Sequence, residues 1–134
     1  MSFLLEANMK LLRGIASLHP AWWPWLVLMV TLNLVMPLIF ISHTEAQATL
    51  FFMMVSGVIA IAVVGALGFV RLVGLMHIGW FILIPYLAFR IGEAEGLFYG
   101  WMLATLIVNS ICLVIDVVDV GRYLAGERED RLAT

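Results

Sequence analysis

Long apolar stretches broken by isolated charges run through the chain. Between Arg13 and Glu45 lie 31 residues with no Asp, Glu, Lys or Arg; between Glu45 and Arg71 lie 25, between Arg71 and Arg90 lie 18, and between Glu95 and Asp116 lie 20. A helix rises about 1.5 Å per residue and needs about 20 residues to cross ~30 Å of hydrocarbon, so each interval holds one crossing. A barrel strand needs about ten alternating residues per pass, and no such alternation occurs. The pattern predicts transmembrane helices at 23–42, 47–69, 73–90 and 97–118. Short connections force sequential helices to be antiparallel neighbours, giving an all-α, up-down-up-down four-transmembrane-helix bundle that forms a single membrane domain.

The two ends follow other patterns. Ser2, Glu6, Lys10, Arg13 and Ser17 project within about 80° of one another on a helix, and Phe3, Leu4, Leu5, Met9, Leu11, Leu12, Ile15 and Leu18 occupy most of the rest. Residues 2–18 are therefore expected to form an amphipathic interfacial helix before His19-Pro20 turns the chain into the bilayer. Residues 122–134 are expected to form a charged cytoplasmic tail whose mixed signs suit salt bridges to a protein. Ala46-Gln47-Ala48 has the look of a signal-peptidase site. The preceding apolar run is longer than a signal h-region of about 7–15 residues, so the first helix is expected to be retained.

Four crossings put both termini on one side. That side collects Lys10, Arg13, Arg71, Arg122, Arg128 and Arg131, against Arg90 alone on the other. Positive residues flank cytoplasmic helix ends, so both termini are expected in the cytoplasm of a bacterial inner membrane. Trp22, Trp23, Trp25 and Tyr123 are expected as inner interfacial anchors, with Tyr86, Tyr99 and Trp101 as outer ones.

Composition closes off the other classes. The chain has 134 residues, 64% of them hydrophobic and only 12% charged, with mean hydropathy +1.10. Soluble domains carry roughly a quarter charged residues, so too few are present to cover a soluble surface. A net charge of -2 offers no basic excess to nucleic acid. Cys112 is the single cysteine, which excludes an intrachain disulfide.

Polar residues within spans are expensive and therefore candidates for function. The candidates are Asn33, His77, Asn109, Ser56 and Ser110, with Asp116 and Asp119 at the inner end of the fourth helix. Asn109, Asp116 and Asp119 share one helical face through spacings of seven and three. Arg71, Asp116, Asp119 and Arg122 are expected to form ion pairs at the inner rim, fixing the hairpin of the second and third helices against the fourth. His77 is expected to bond Asn33, Asn109 or a backbone carbonyl. Pro37 lacks an N–H, so the Asn33 carbonyl four residues earlier is expected to lose its helical partner. Gly57, Ala60, Gly65 and Gly68 form a small-residue stripe suited to close helix packing. His43, Glu45, Glu93 and Glu95 around Arg90 are expected as solvated turn residues.

No His, Cys or carboxylate set reads as metal-ligand spacing, and no metal is expected. A haem lacks a second axial histidine, although a haem- or quinone-linked electron-transfer subunit stays open as a rival. No GxSxG, HExxH, P-loop or dinucleotide motif occurs, so no enzyme is expected. Length and topology are similar to those of small four-helix multidrug transporters, but their first-helix carboxylate is missing and Asn33 is the polar candidate there. The Glu- and Arg-rich motif of the four-helix glutathione and eicosanoid membrane enzymes is missing too, and neither family is assigned. The leading expectation is an accessory or assembly subunit, or a homo-oligomer, embedded in the lipid bilayer and acting by helix–helix contact with another membrane protein or itself. The alternative is a small oligomeric proton- or cation-coupled transporter or channel with a path past Asn33, His77, Asn109 and Asp116.

Overall fold

Ser2 caps the first helix, its hydroxyl accepting from the Leu5 N–H at 3.3 Å, and α1 runs Phe3–Ala16. In the computed structural model, residues 2–18 and 20–129 are described. His19, expected at the turn into the bilayer, and residues 130–134 of the tail lie outside the described residues. Among those described no strand forms, and four helices are long and apolar enough to cross a membrane: Pro20–Ile39, Thr44–Leu67, Arg71–Glu93 and Gly96–Leu124.

The first of these is not one regular helix. It contains α2 (Trp23–Val30), a π-helical turn (Thr31–Val35) and α3 (Met36–Ile39). Proline at position 37 is the cause. In the widened turn the Met36 N–H reaches past Leu32 to the Thr31 carbonyl. The five-residue register then sets the Leu32 carbonyl opposite Pro37, which has no N–H to give. Trp101 supplies the missing donor, its indole N–H bonding the Leu32 carbonyl at 2.8 Å. Leu32, rather than Asn33, is thus the carbonyl that Pro37 leaves without a backbone partner. Trp101 is 1% exposed, so it is a core residue and not the interfacial anchor its position implied.

The second span is α4 (Thr44–Leu67), ended by Gly68 at φ +85°, a backbone region that glycine enters without the clash of a Cβ. The third departs from a continuous α-helix over 73–90. A 3-10 helix covers Arg71–His77, and α5 follows at Trp80–Arg90 with Pro85 inside it. The 3-10 rise of about 2.0 Å per residue stretches this shortest charge-free interval, and carries His77 about 12 Å from Arg71 rather than about 9 Å. A short 3-10 turn (Ile91–Glu93) leads to α6 (Gly96–Leu124), the longest helix.

The core is built where the spans meet, around Leu32, Trp80, Leu83, Leu87, Trp101 and Met102. α1 packs on α4 at its Gly68 end. A methyl at Gly65 would sit 2.5 Å from the Phe3 ring and 2.9 Å from Ala7, and one at Gly14 would strike the Phe69 ring. Gly65 therefore seats α1, whereas nothing lies within 4 Å of a methyl placed on Gly57. The small-residue stripe divides accordingly: Gly65 and buried Ala60 face neighbours, Gly68 makes the turn, and Gly57 faces away.

Candidate functional site

Two pairs of polar side chains join α6 to the rest of the bundle. At mid-span Asn33, on the π turn, and Asn109, on α6, exchange amide hydrogen bonds of 2.9 and 2.8 Å, both residues being fully buried. Asn33 also donates to the Met29 carbonyl at 3.0 Å. Toward Arg71, His77 Nδ1 meets Asp116 Oδ2 at 2.6 Å. His77 therefore takes Asp116, not Asn33, Asn109 or a backbone carbonyl as expected.

Local structure explains this meeting. Gly74 lies where any side chain would press on α6, since a methyl there would be 3.0 Å from the Asp116 carbonyl oxygen. The glycine lets the 3-10 segment approach, and His77 ends that segment facing the α6 carboxylate. Trp80 begins α5 one turn later and stacks on the imidazole at 3.8 Å between ring centroids, tilted by 16°, which fixes the ring plane.

Cys112 completes the group. It stands one turn before Asp116 on α6, and its sulfur is 3.8 Å from both His77 Nδ1 and Asp116 Oδ2. The expectation that no ligand spacing exists is corrected by this triad, whose donor atoms all lie within 4.8 Å of one another. Cys112 and Asp116 at i and i+4 share a helix face, and that spacing is the signal the sequence carried. His77 arrives from 35 residues away in sequence.

The aspartates do not form one pair with both arginines. Arg71 bonds Asp119 at 2.7 Å and Glu127 at 3.1 Å, while Arg122 bonds Glu127 at 2.8 Å. Glu127 of the tail thus closes the network in place of Asp116. Beside the triad opens a groove of about 610 Å³, lined by Trp22, Trp25, Arg71, His77, Cys112, Asp116, Asp119 and Arg122 among others. Of the expected anchors, Trp22 and Trp23 are exposed and Trp25 packs on the core.

At the opposite end Arg90 bonds Glu45 at 2.9 Å and Glu93 at 3.1 Å, and His43 stacks on Phe98 at 4.0 Å. Glu45 is only 6% exposed, so it is a buried tie rather than a solvated turn residue. His43 and His77 belong to opposite ends, and a bis-histidine haem does not fit the described histidines. Trp80 Nε1 and Thr105 Oγ1 are buried with no hydrogen-bond partner among the described residues. Comparison with family models, curated proteins and solved structures finds no match to this chain.

Proposed function

We propose that this chain is a non-enzymatic inner-membrane subunit that works by helix–helix contact, as an accessory or assembly component of a membrane complex or as a homo-oligomer. In this reading the spans alternate up and down, α1 lies in the interface as an amphipathic helix, and the Arg71 end with both termini faces the cytoplasm. The observation that carries the proposal is the Asn33–Asn109 pair: the two buried amides bond each other and tie the first span to α6. A transport path past Asn33 and Asn109 must break those bonds in the low-dielectric centre of the bundle, where unmet amides are costly.

The surface supports the same reading. Apolar relief runs along α5 and α6, where two adjoining hollows share Phe81, Leu113 and Val117. Their further walls include Leu75, Ile78, Ile84, Val114, Val120 and Leu124, with Asp116 in one and Ser110 in the other. Such relief accepts ridges of another helix, and packing of this kind drives association where lipid removes the hydrophobic incentive.

Native mass spectrometry of the chain extracted with its surrounding lipid tests the proposal. The expected result is an assembly larger than one chain, with photo-crosslinks from a probe at Val117 reaching a second polypeptide. A solitary monomer without such crosslinks overturns it.

A further inference from the structure

We infer that His77, Cys112 and Asp116 form a binding site for one divalent transition-metal ion of the zinc class. The site is independent of any partner. Its donors are one imidazole, one thiol and one carboxylate, on two elements held together by the close approach of Gly74 to α6. Thiolate and imidazole ligands select borderline metals such as zinc over magnesium or calcium.

The geometry is near that of a loaded site. Zinc with a sulfur at about 2.3 Å and nitrogen and oxygen at about 2.0 Å sets tetrahedral edges of about 3.3–3.5 Å. The sulfur edges measure 3.8 Å, and the imidazole–carboxylate edge measures 2.6 Å. Coordination closes the former by about 0.3 Å and opens the latter by about 0.7 Å, shifts within reach of side-chain rotation. Stacking on Trp80 already orients the imidazole. The fourth position falls to the groove that the three residues line, leaving room for water or a small ligand.

Charge points the same way. Arg71 and Arg122 are committed to Asp119 and Glu127, and among the described residues the ion-pair partner of Asp116 is His77. A divalent ion with one thiolate, one carboxylate and a neutral imidazole is electrically neutral, the cheapest state for a group of charges in a span. On binding, the thiol proton and the proton held between His77 Nδ1 and Asp116 Oδ2 are both released to water, and the sulfur and Oδ2 bond the metal. The imidazole binds through Nδ1 and keeps its remaining proton on Nε2.

Cobalt is the test ion, because a cobalt–thiolate bond absorbs in the near ultraviolet. Full-length protein in lipid nanodiscs is titrated with Co²⁺, back-titrated with Zn²⁺, and the loaded wild type is examined by X-ray absorption. The expected result is one Co²⁺ per chain with one sulfur scatterer, displaced by Zn²⁺. Binding should weaken by at least about 100-fold in Cys112→Ser and in Asp116→Asn, and stay unchanged in His43→Ala. Binding without a sulfur scatterer, binding unaltered by Cys112→Ser, or no stoichiometric binding by wild type overturns the assignment. The wild-type absorption experiment decides the matter even if a variant fails to fold.

Discussion

Asn33 and Asn109 show how a buried polar pair reads differently singly and together. Each donates one N–H to the other's carbonyl oxygen, so removing one amide strands the second among apolar side chains. An unmet buried group costs about 1–3 kcal/mol, whereas the net worth of a hydrogen bond between membrane helices averages about 0.6 kcal/mol. Asn33→Leu and Asn109→Leu are each expected to destabilise the fold by about 1–3 kcal/mol. The double variant is expected to lose clearly less than the sum, because no orphan remains. Reversible unfolding in mixed micelles measures this cycle, and strict additivity removes the coupling. Both asparagines stood out in the sequence as polar interruptions of apolar runs, yet their union did not. A helical projection gives the face a residue occupies but not what that face meets, and 76 residues separate this pair. The same gap hid the bond from the Trp101 indole to Leu32, because an aromatic near a span end reads as an anchor until the π turn exposes the carbonyl it serves.

At the scale of elements, glycines decide which helices approach. Gly65 lies under Phe3 and Ala7 of α1, and Gly57, two turns earlier on α4, faces open space. Both looked alike as members of one small-residue stripe, since periodicity cannot distinguish a face covered by a neighbour from one left bare. Gly65→Leu is expected to lift α1 from α4 and expose the backbone beside Lys10 and Arg13 to trypsin, raising the cleavage rate there by about tenfold or more, the consequence of an opening made easier by about 1.4 kcal/mol. Gly57→Leu is expected to leave the rate unchanged. Equal protection of both variants, followed by gel and mass analysis of fragments, removes the seat assigned to Gly65. The irregular elements were the least legible part of the fold. The 3-10 segment Arg71–His77 and the π turn Thr31–Val35 interrupt spans whose hydropathy is continuous. Hydropathy registers burial in lipid and is blind to the pitch of the helix. Pro37 sets the wider turn, whose freed Leu32 carbonyl is met by Trp101 of α6, and the tighter turn lies where Gly74 meets α6.

The whole molecule places its charges at two levels and its apolar surface between them. Arg71, Asp119, Arg122 and Glu127 interlock at one end, and Glu45, Arg90 and Glu93 at the other. Between these levels large apolar side chains such as Ile39, Met54, Phe81, Phe89 and Val114 are exposed, as they must be on a surface that faces hydrocarbon. This level of organisation was legible from the spacing of charges alone, because membrane thickness sets that spacing. The orientation proposed above, with both termini in the cytoplasm, rests on the same charges. Lys10, Arg13, Arg71, Arg122 and Arg128 belong with the termini, and each resists transfer across a membrane whose cytoplasmic side is negative. Single cysteines placed in a Cys112→Ala background report the side of each level. Glu93→Cys is expected to react with a membrane-impermeant maleimide in intact spheroplasts, whereas Ser2→Cys and Glu129→Cys react only after permeabilisation. Labelling of Glu129→Cys from outside, with Glu93→Cys protected, inverts the orientation. Labelling of Ser2→Cys and Glu129→Cys from opposite sides breaks the even count of crossings. The first result detaches the His77–Cys112–Asp116 groove from the cytoplasmic face proposed for it, and with it the side from which a metal ion reaches its ligands.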